Sequence, residues 1–480
     1  MHRLGGEDAG FLFMELPTQP INSMGVAILR PGTGPDGKPA PVTLEEARTH
    51  MARRMGVLPA YRWRIQRVPL GIGHPVWVDD PDFDIGYHVR HHQLPAPGTP
   101  AQFDAYCAGL TEQRLDRRHP LWQLVLVDGL EDGRQALVLR YSHALADGVA
   151  AVTTLNRMFT GRDHEPEVPA EPWVPAPLPG RGRLLLDALR DRLRLMAKLP
   201  RLILGAIRSQ QAMRRYRASG NDEVPTGTGQ APACSLNNAY TVGRRYSRIA
   251  LPLSEIRAVK DAAGVSVNDV ALAVVAGALR SYLLARDELP AGPLLASVPV
   301  STEPADAPVR QWGNRFSGMT TSLATDIADP WTRLETISRI TKEAKAVFDI
   351  SGAADMPDLL DQIPPFLAEW VAHGIYDSLA KGKKKPDVNI VVSNIRGSSK
   401  PWKFDTASVE EFYAQGPPCN GVGSNILVWS HLDQLSFGTI SFADSLDSSE
   451  DLTTGLRLAL TELVEAAASR AGVAAEDKSA

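Results

Sequence analysis

Apolar and polar positions alternate with period two from Ala136 to His143. Leu137, Leu139, Tyr141 and His143 fall on one face; Val138, Arg140 and Ser142 fall on the other. That pattern predicts a strand over 136–143, and the apolar spacing that follows predicts a helix over 149–159. Beyond residue 236, helical periodicity at 267–286, 331–347 and 356–379 is interleaved with strand-like runs at 294–300, 389–393, 426–431 and 434–442. Between the two halves, 161–180 is dominated by Pro and charge, which is linker chemistry, and 220–232 reads as a second flexible stretch. The Ala-rich, polar end, 466–480, is expected to fray. The reading is of two α/β domains, residues 1–165 and 236–480, joined through a hinge at 166–235.

Length agrees with this division, since 480 residues at about 150 per domain suggests two or three cores. Charge changes the picture in one place. Residues 181–217 hold eleven Lys/Arg and two acids, Asp187 and Asp191, so the segment carries +9 while the whole chain carries −4. Leucines recur among those arginines near helical spacing. The segment therefore reads as a basic amphipathic helix suited to an anionic lipid surface, to the phosphates of a bound ligand, or to packing against its own domains. The Lys381–Lys385 loop is a second candidate for such phosphates. A chain with near-balanced overall charge gives no reason to expect nucleic acid as a partner. Cys107, Cys234 and Cys419 are far apart and form no CxxC pair, which points to a reducing, cytoplasmic setting without a disulfide framework. The N-terminus lacks the pattern of a secretory signal. The longest apolar run, 270–279, is interrupted at Arg280, short of a bilayer span.

The chemistry concentrates in Tyr141-Ser-His-Ala-Leu-Ala-Asp-Gly148. His143 ends a strand where the chain turns into a helix, so its imidazole, with an ordinary pKa of about 6.5, can face a cleft and accept a proton at neutral pH. Asp147 is placed to fix the turn or cap the helix, and Gly148 leaves room for a close approach. Other constellations fail. Gly32–Lys38 has the front of a phosphate-binding loop, but Pro39 stands where a Ser or Thr is needed. Tyr87–His92 offers three histidines without a carboxylate or Cys at ligand spacing. Neither a Gly-x-Ser-x-Gly elbow nor a dinucleotide-binding glycine motif occurs.

His143-x-x-x-Asp147-Gly148 resembles the signature of the CoA-dependent acyltransferases typified by chloramphenicol acetyltransferase. More of the chain resembles the bacterial wax ester synthase/diacylglycerol acyltransferase family. Pro120-Leu121-Trp122, Asn268-Asp269, Gly313-Asn314-Arg315, Ser393-Asn394-Ile395 and the N-terminal Asp8–Phe13 segment match its motifs in order, over about residues 4–460. One position departs: Ser142 stands where the family has a further His before the catalytic one.

The resemblance implies an α/β (α+β) fold of two chloramphenicol-acetyltransferase-like domains. Each would be a mixed, mostly antiparallel sheet flanked by helices, with an active-site tunnel between them. It implies transfer of a long-chain acyl group from acyl-CoA to diacylglycerol or a fatty alcohol, with His143 as general base and Asp147 beside it. Gly148, Asn268, Asp269, Ser393 and Asn394 would shape the site or donate to an oxyanion, and Pro120, Leu121 and Trp122 would pack beneath it. No bound cofactor or metal is expected, acyl-CoA being a substrate. The expected location is cytoplasmic, peripheral at the inner membrane face or on lipid droplets. Two other readings remain open: a related acyltransferase with a different alcohol or a carrier-protein donor, and a non-catalytic lipid-binding homologue.

Overall fold

The computed structural model describes residues 1–160, 173–220, 224, 229–238, 241–304, 306–351, 356–381 and 383–477. Two six-stranded sheets dominate it. Their strands are β1 (Asn22–Arg30), β2 (Val89–Gln93), β3 (Trp122–Asp128), β4 (Gln135–Ser142), β5 (Arg244–Pro252), β6 (Leu295–Ser301), β7 (Phe316–Ser322), β8 (Ile390–Ile395), β9 (Trp402–Phe404), β10 (Ala407–Gln415), β11 (Ser424–His431) and β12 (Gln434–Phe442). The first sheet runs β9-β10-β1-β4-β3-β2, with only the β2/β3 pair parallel. The second runs β5-β12-β11-β8-β6-β7, with β8 parallel to both of its neighbours. Both sheets are mixed and mostly antiparallel, the architecture expected from the sequence. The helices used below are α1 (Gly6–Met14), α2 (Gly148–Met158), α3 (Arg181–Ala218), α4 (Leu253–Ala263), α5 (Val267–Leu284), α6 (Pro330–Ile350), α7 (Met356–Gln362), α8 (Pro365–Ala380) and α9 (Ser449–Asp477).

The alternation that predicted β4 is the one that builds the first domain. Leu137, Leu139 and Tyr141 join the core that also holds Trp122 and Trp429, while Ala136 and Val138 face a separate cluster with Phe103, Tyr246 and Ile440. The strand stops at Ser142, so His143 is the first residue of the turn and not the last of the strand. In the second domain the apolar helix α5 is long enough and apolar enough to cross a bilayer, yet 72 % of it is buried. It lies under α4, α6 and α9 in a core that fills the space above the second sheet.

Two local expectations differ from the structure. The helix expected over 356–379 is two, α7 and α8, because Pro364 and Pro365 interrupt it; a ring at the interior of a helix removes a donor and clashes with the preceding turn. The Ala-rich end stays helical to Asp477, consistent with the high helix propensity of Ala; residues 478–480 lie outside the described residues. Of the Pro-rich linker, 161–172 lies outside them too, as does most of the flexible stretch at 220–232.

The 1–165 and 236–480 division is crossed by the chain. β9 and β10, from the C-terminal half, complete the first sheet against β1. β10 then lies directly on β11 and β12, so the two sheets touch through a strand that belongs to the first sheet and immediately precedes these two strands of the second in sequence. Gly438 of β12 makes this approach possible: a Cβ there would sit 2.1 Å from the Ala414 carbonyl oxygen of β10. Gly438→Ala must therefore push the sheets apart. The expected cost is about 1–3 kcal/mol, read as a lower midpoint of urea denaturation with an unchanged slope.

Candidate active site

His143 sits in the turn Ser142–Asp147, between the end of the first sheet and the segment Arg310–Phe316 that leads into β7 of the second. Three backbone bonds define the turn and tie it to the second domain: Leu145 N to Ser142 O (2.9 Å), Gly313 N to Leu145 O (2.7 Å) and Asp147 N to Gly313 O (3.2 Å). The His143 amide donates to the Ile21 carbonyl (3.1 Å), and its own carbonyl accepts from the Asn314 side-chain amide (2.9 Å). The half-buried imidazole lies face to face with Phe11 of α1, ring centroids 4.3 Å apart and planes 1° from parallel, with Phe316 at 6.0 Å. Its Nδ1 is enclosed and has no hydrogen-bond partner among the described residues. Burial among these aromatic faces lowers its pKa below the ordinary histidine value, outweighing the opposite pull of the Asp147 charge. The imidazole is therefore neutral at neutral pH, the state a general base requires.

Asp147 does not face open solvent. It is 5 % exposed, and each oxygen is committed. Oδ1 accepts from Ala150 N (3.1 Å), capping α2. Oδ2 accepts from Arg315 N (2.9 Å) and pairs with Arg310 Nη2 (2.6 Å). Arg310 in turn binds Glu303 (3.0 Å) and the Gly313 carbonyl. The structure thus places Asp147 as a positioning group that locks the His143 turn to the second domain.

α1 closes the arrangement. Asp8 Oδ1 accepts from both the backbone and side-chain nitrogens of Asn314, each at 2.8 Å, so Asp8, Asn314 and the His143 carbonyl form one chain of bonds. Burial raises the Asp8 pKa to about 6 despite those bonds. Glu7, beside it, has an enclosed oxygen with no partner among the described residues, and burial together with the Asp8 charge pushes its pKa up to about 8.

The other residues singled out from sequence are placed as follows. Gly148 opens α2 against Ile395 of β8: a Cβ on Gly148 would lie 2.6 Å from the Ile395 Cδ1. The His143 and Asn394-Ile395 segments therefore meet across the domain boundary. Along β8, Ser393 and Ile395 share the face toward the first domain, whereas Asn394 is on the other face, where its amide donates to Asn268 (3.3 Å). Ser393 and Asn394 are thus split by the strand. Asp269 is enclosed, closing a capping box with Ser266 and accepting from Ser338 of α6 (3.1 Å). Pro120, Leu121 and Trp122 run beneath the turn: Ser142 N donates to the Leu121 carbonyl (3.0 Å), and the buried Trp122 indole donates to the Tyr61 carbonyl (2.7 Å). The 87–92 histidines are spread over separate contacts, His88 with the Trp122 carbonyl, His91 with Asp128 and His92 on Tyr106. Gly32–Lys38 begins a small surface hairpin. Arg310, Glu7 and Phe316 escaped the sequence reading. Asp8, Phe11 and Asn314 lay within noticed motifs, but only the fold gives them a role.

Comparison with known proteins identifies the family. Residues 4–271 match the model of the wax ester synthase/diacylglycerol acyltransferase catalytic domain, and residues 312–464 match that of the C-terminal domain of the same family. The chain belongs to the wax ester synthase/diacylglycerol acyltransferase family. It is 34 % identical over 475 residues, 98 % of each chain, to a Mycobacterium tuberculosis protein whose name assigns it provisionally as a diacylglycerol O-acyltransferase. A second protein of that organism, tgs2, also bearing a provisional diacylglycerol O-acyltransferase name, is 32 % identical over 478 residues, 96 % of this chain and 98 % of its own. Among solved structures, the wax ester synthase/diacylglycerol acyltransferase of Marinobacter aquaeolei VT8 superposes with a TM-score of 0.67 at 26 % identity, over 97 % of this chain and all of that one. A condensation domain of the CDA synthetase shares the fold, with a TM-score of 0.57 at 15 % identity over 97 % and 96 % of the two chains. The protein is an acyltransferase of this family.

Two outcomes follow from the geometry. Asp147→Ala removes the α2 cap and takes one of two carboxylates from the Arg310 guanidinium, which keeps Glu303, an expected loss of about 1–3 kcal/mol; Asp147→Asn keeps the cap and loses less, a ranking that chemical denaturation measures. The second concerns pH. Glu7 and Asp8 have folded pKa values above their unfolded ones, so the folded state binds more protons and these groups remove stability as pH rises from about 4 through about 8. In Glu7→Gln, thermal midpoints should fall less between pH 5 and pH 9 than in the wild type (roughly the range those shifts span).

Proposed function

We propose that this protein transfers a long-chain acyl group from acyl-CoA to the hydroxyl of diacylglycerol or of a fatty alcohol, with His143 as general base. The observation that carries the reading is the imidazole held by its backbone to Ile21 and Asn314 and stacked on Phe11 at the boundary of the two domains, where burial favours its neutral form. The names of the relatives supply the acceptor classes. In this scheme the imidazole removes the acceptor's hydroxyl proton as that oxygen attacks the thioester carbonyl. The C–S bond breaks on collapse of the tetrahedral intermediate, and the proton passes from the imidazolium to the departing thiolate. No acyl-enzyme forms, and no resident cofactor enters, since the thioester carries the activation. A low-dielectric site strengthens any donor aimed at the developing oxyanion. Of the two residues first considered for that task, Ser393 is the candidate retained, because Asn394 is turned toward Asn268.

The test is thiol release from palmitoyl-CoA by the purified protein, with diacylglycerol and hexadecanol supplied in parallel. Acceptor-dependent release is expected, reduced about 10²–10⁴-fold in His143→Ala. The acid limb of the wild-type rate profile should fall below about pH 6.5, because burial lowers the imidazole pKa. Release that is equal in the variant and the wild type would remove His143 from the mechanism.

A further inference from the structure

The basic segment folds as a single helix, α3, of 38 residues, and its apolar side chains divide into two sets. Leu184, Ala188, Leu195 and Leu202 face the protein. Leu186, Leu189, Leu193, Met196, Ile203 and Ile207 are exposed, each by 46 % or more, and their 3-4 spacing draws one stripe along the helix. On α8 a second apolar surface lies open, with Phe366 69 % and Trp370 71 % exposed beside Val371. These are single-sided helices lacking a cover among the described residues.

Charge decides what fits the stripe. The 3-4 spacing also suits a partner helix, but a second copy of α3 would bring one +9 segment against another. Among the described residues Arg201, Arg208, Arg214 and Arg215 make no ion pair, and helical spacing sets Arg201, Arg208 and Arg215 along one edge of the apolar stripe. That is the arrangement of a helix lying in the plane of an anionic lipid surface, its apolar side in the acyl boundary and its arginines at the head groups. Exposed Trp and Phe suit the same boundary.

The same elements are fastened to the site. α3 holds α7 through Lys198–Asp358 (3.1 Å), Arg192 to the Gln362 carbonyl (2.8 Å) and Gln362 to the Leu195 carbonyl (3.1 Å). Asp361 of α7 accepts from Gly6 N at the start of α1, and α8 lies along α1. α1 in turn carries Phe11 on the imidazole and Asp8 on Asn314. We propose that the α3–α8 face is where the protein lies on an anionic lipid surface, and that an acceptor drawn from that surface reaches His143 beside α1. The second clause rests on the function proposed above.

The full-length protein is sedimented with vesicles of phosphatidylcholine alone or mixed with phosphatidylglycerol. Binding to the anionic vesicles is expected, weakened by salt and reduced about tenfold or more in Leu193→Glu/Ile203→Glu and in Phe366→Ser/Trp370→Ser. Unchanged circular dichroism shows that the variants are folded. Their thiol release with a water-soluble short-chain alcohol should stay within about twofold of wild type, while that with vesicle-borne diacylglycerol falls with binding. Equal sedimentation of variants and wild type overturns the proposal, as does a wild type that ignores anionic vesicles or a dimer that Leu193→Glu/Ile203→Glu converts to monomer. Vesicle binding is read without turnover, so a wild type that binds but releases no thiol with any acceptor supports the docking surface and overturns the catalytic reading alone.

Discussion

The Asp147–Arg310 pair is the contact on which the rest of the site depends. A buried ion pair repays its desolvation only when the remaining valences are filled, and here they are. One carboxylate oxygen starts α2; the other takes a backbone amide and a guanidinium from the opposite domain. The helix that follows His143 and the boundary it faces therefore share one residue. With both ends of a four-residue turn fixed in this way, the imidazole has little freedom to move relative to Asn314 and Phe316. Positioning is the part of proton transfer that a fold can supply in advance.

Two adjacent carboxyls on α1 show how the same turn of helix can hold different charge states. Asp8 collects donors from Asn314 and Gly5, so its pKa stops at about 6 and it is mostly ionised at neutral pH. Glu7 has an enclosed oxygen without a partner among the described residues, and burial raises its pKa to about 8. Environment has pushed the pair apart. A neutral Glu7 adds no charge beside Asp8 and Asp147, the two carboxylates whose fields raise its pKa.

Period-two alternation carried β4, the helix after it and the His143–Gly148 turn as far as local pattern can, and the two-sheet architecture came with the family resemblance of the motifs. The losses have physical reasons. β10 reads locally as one more strand of the C-terminal half, and nothing in its alternation says that it pairs with β1, nearly four hundred residues upstream; that depends on the close approach at Gly438. The break between α7 and α8 was legible in Pro364 and Pro365, and a helical period counted across them concealed it. Arg310 could not be read at all: an arginine three residues before a motif is indistinguishable from a solvated one until its partner, on another domain, is known. Asn394 shows the converse. The motif was noticed correctly, but one strand position decides which face a side chain takes, and Asn394 and Ser393 take opposite ones.

The same face argument bears on Ser142, the departure from the family pattern. Its backbone is used on both sides, the amide by Leu121 and the carbonyl by Leu145, and neither bond depends on the side chain. Its register partner is Asn22, and the face it shares with Arg140 is occupied by a network in which Asn22 and Arg140 both donate to the Gln113 carbonyl. Ser142 itself is 6 % exposed. A hydroxymethyl group fits there without displacing that network, and it lies on the far side of the strand from Tyr141 and the aromatic rings around the imidazole. Whatever residue stands at 142 acts on His143 through the backbone of the turn and the packing behind it, because the strand carries its side chain away from the proton that His143 would move.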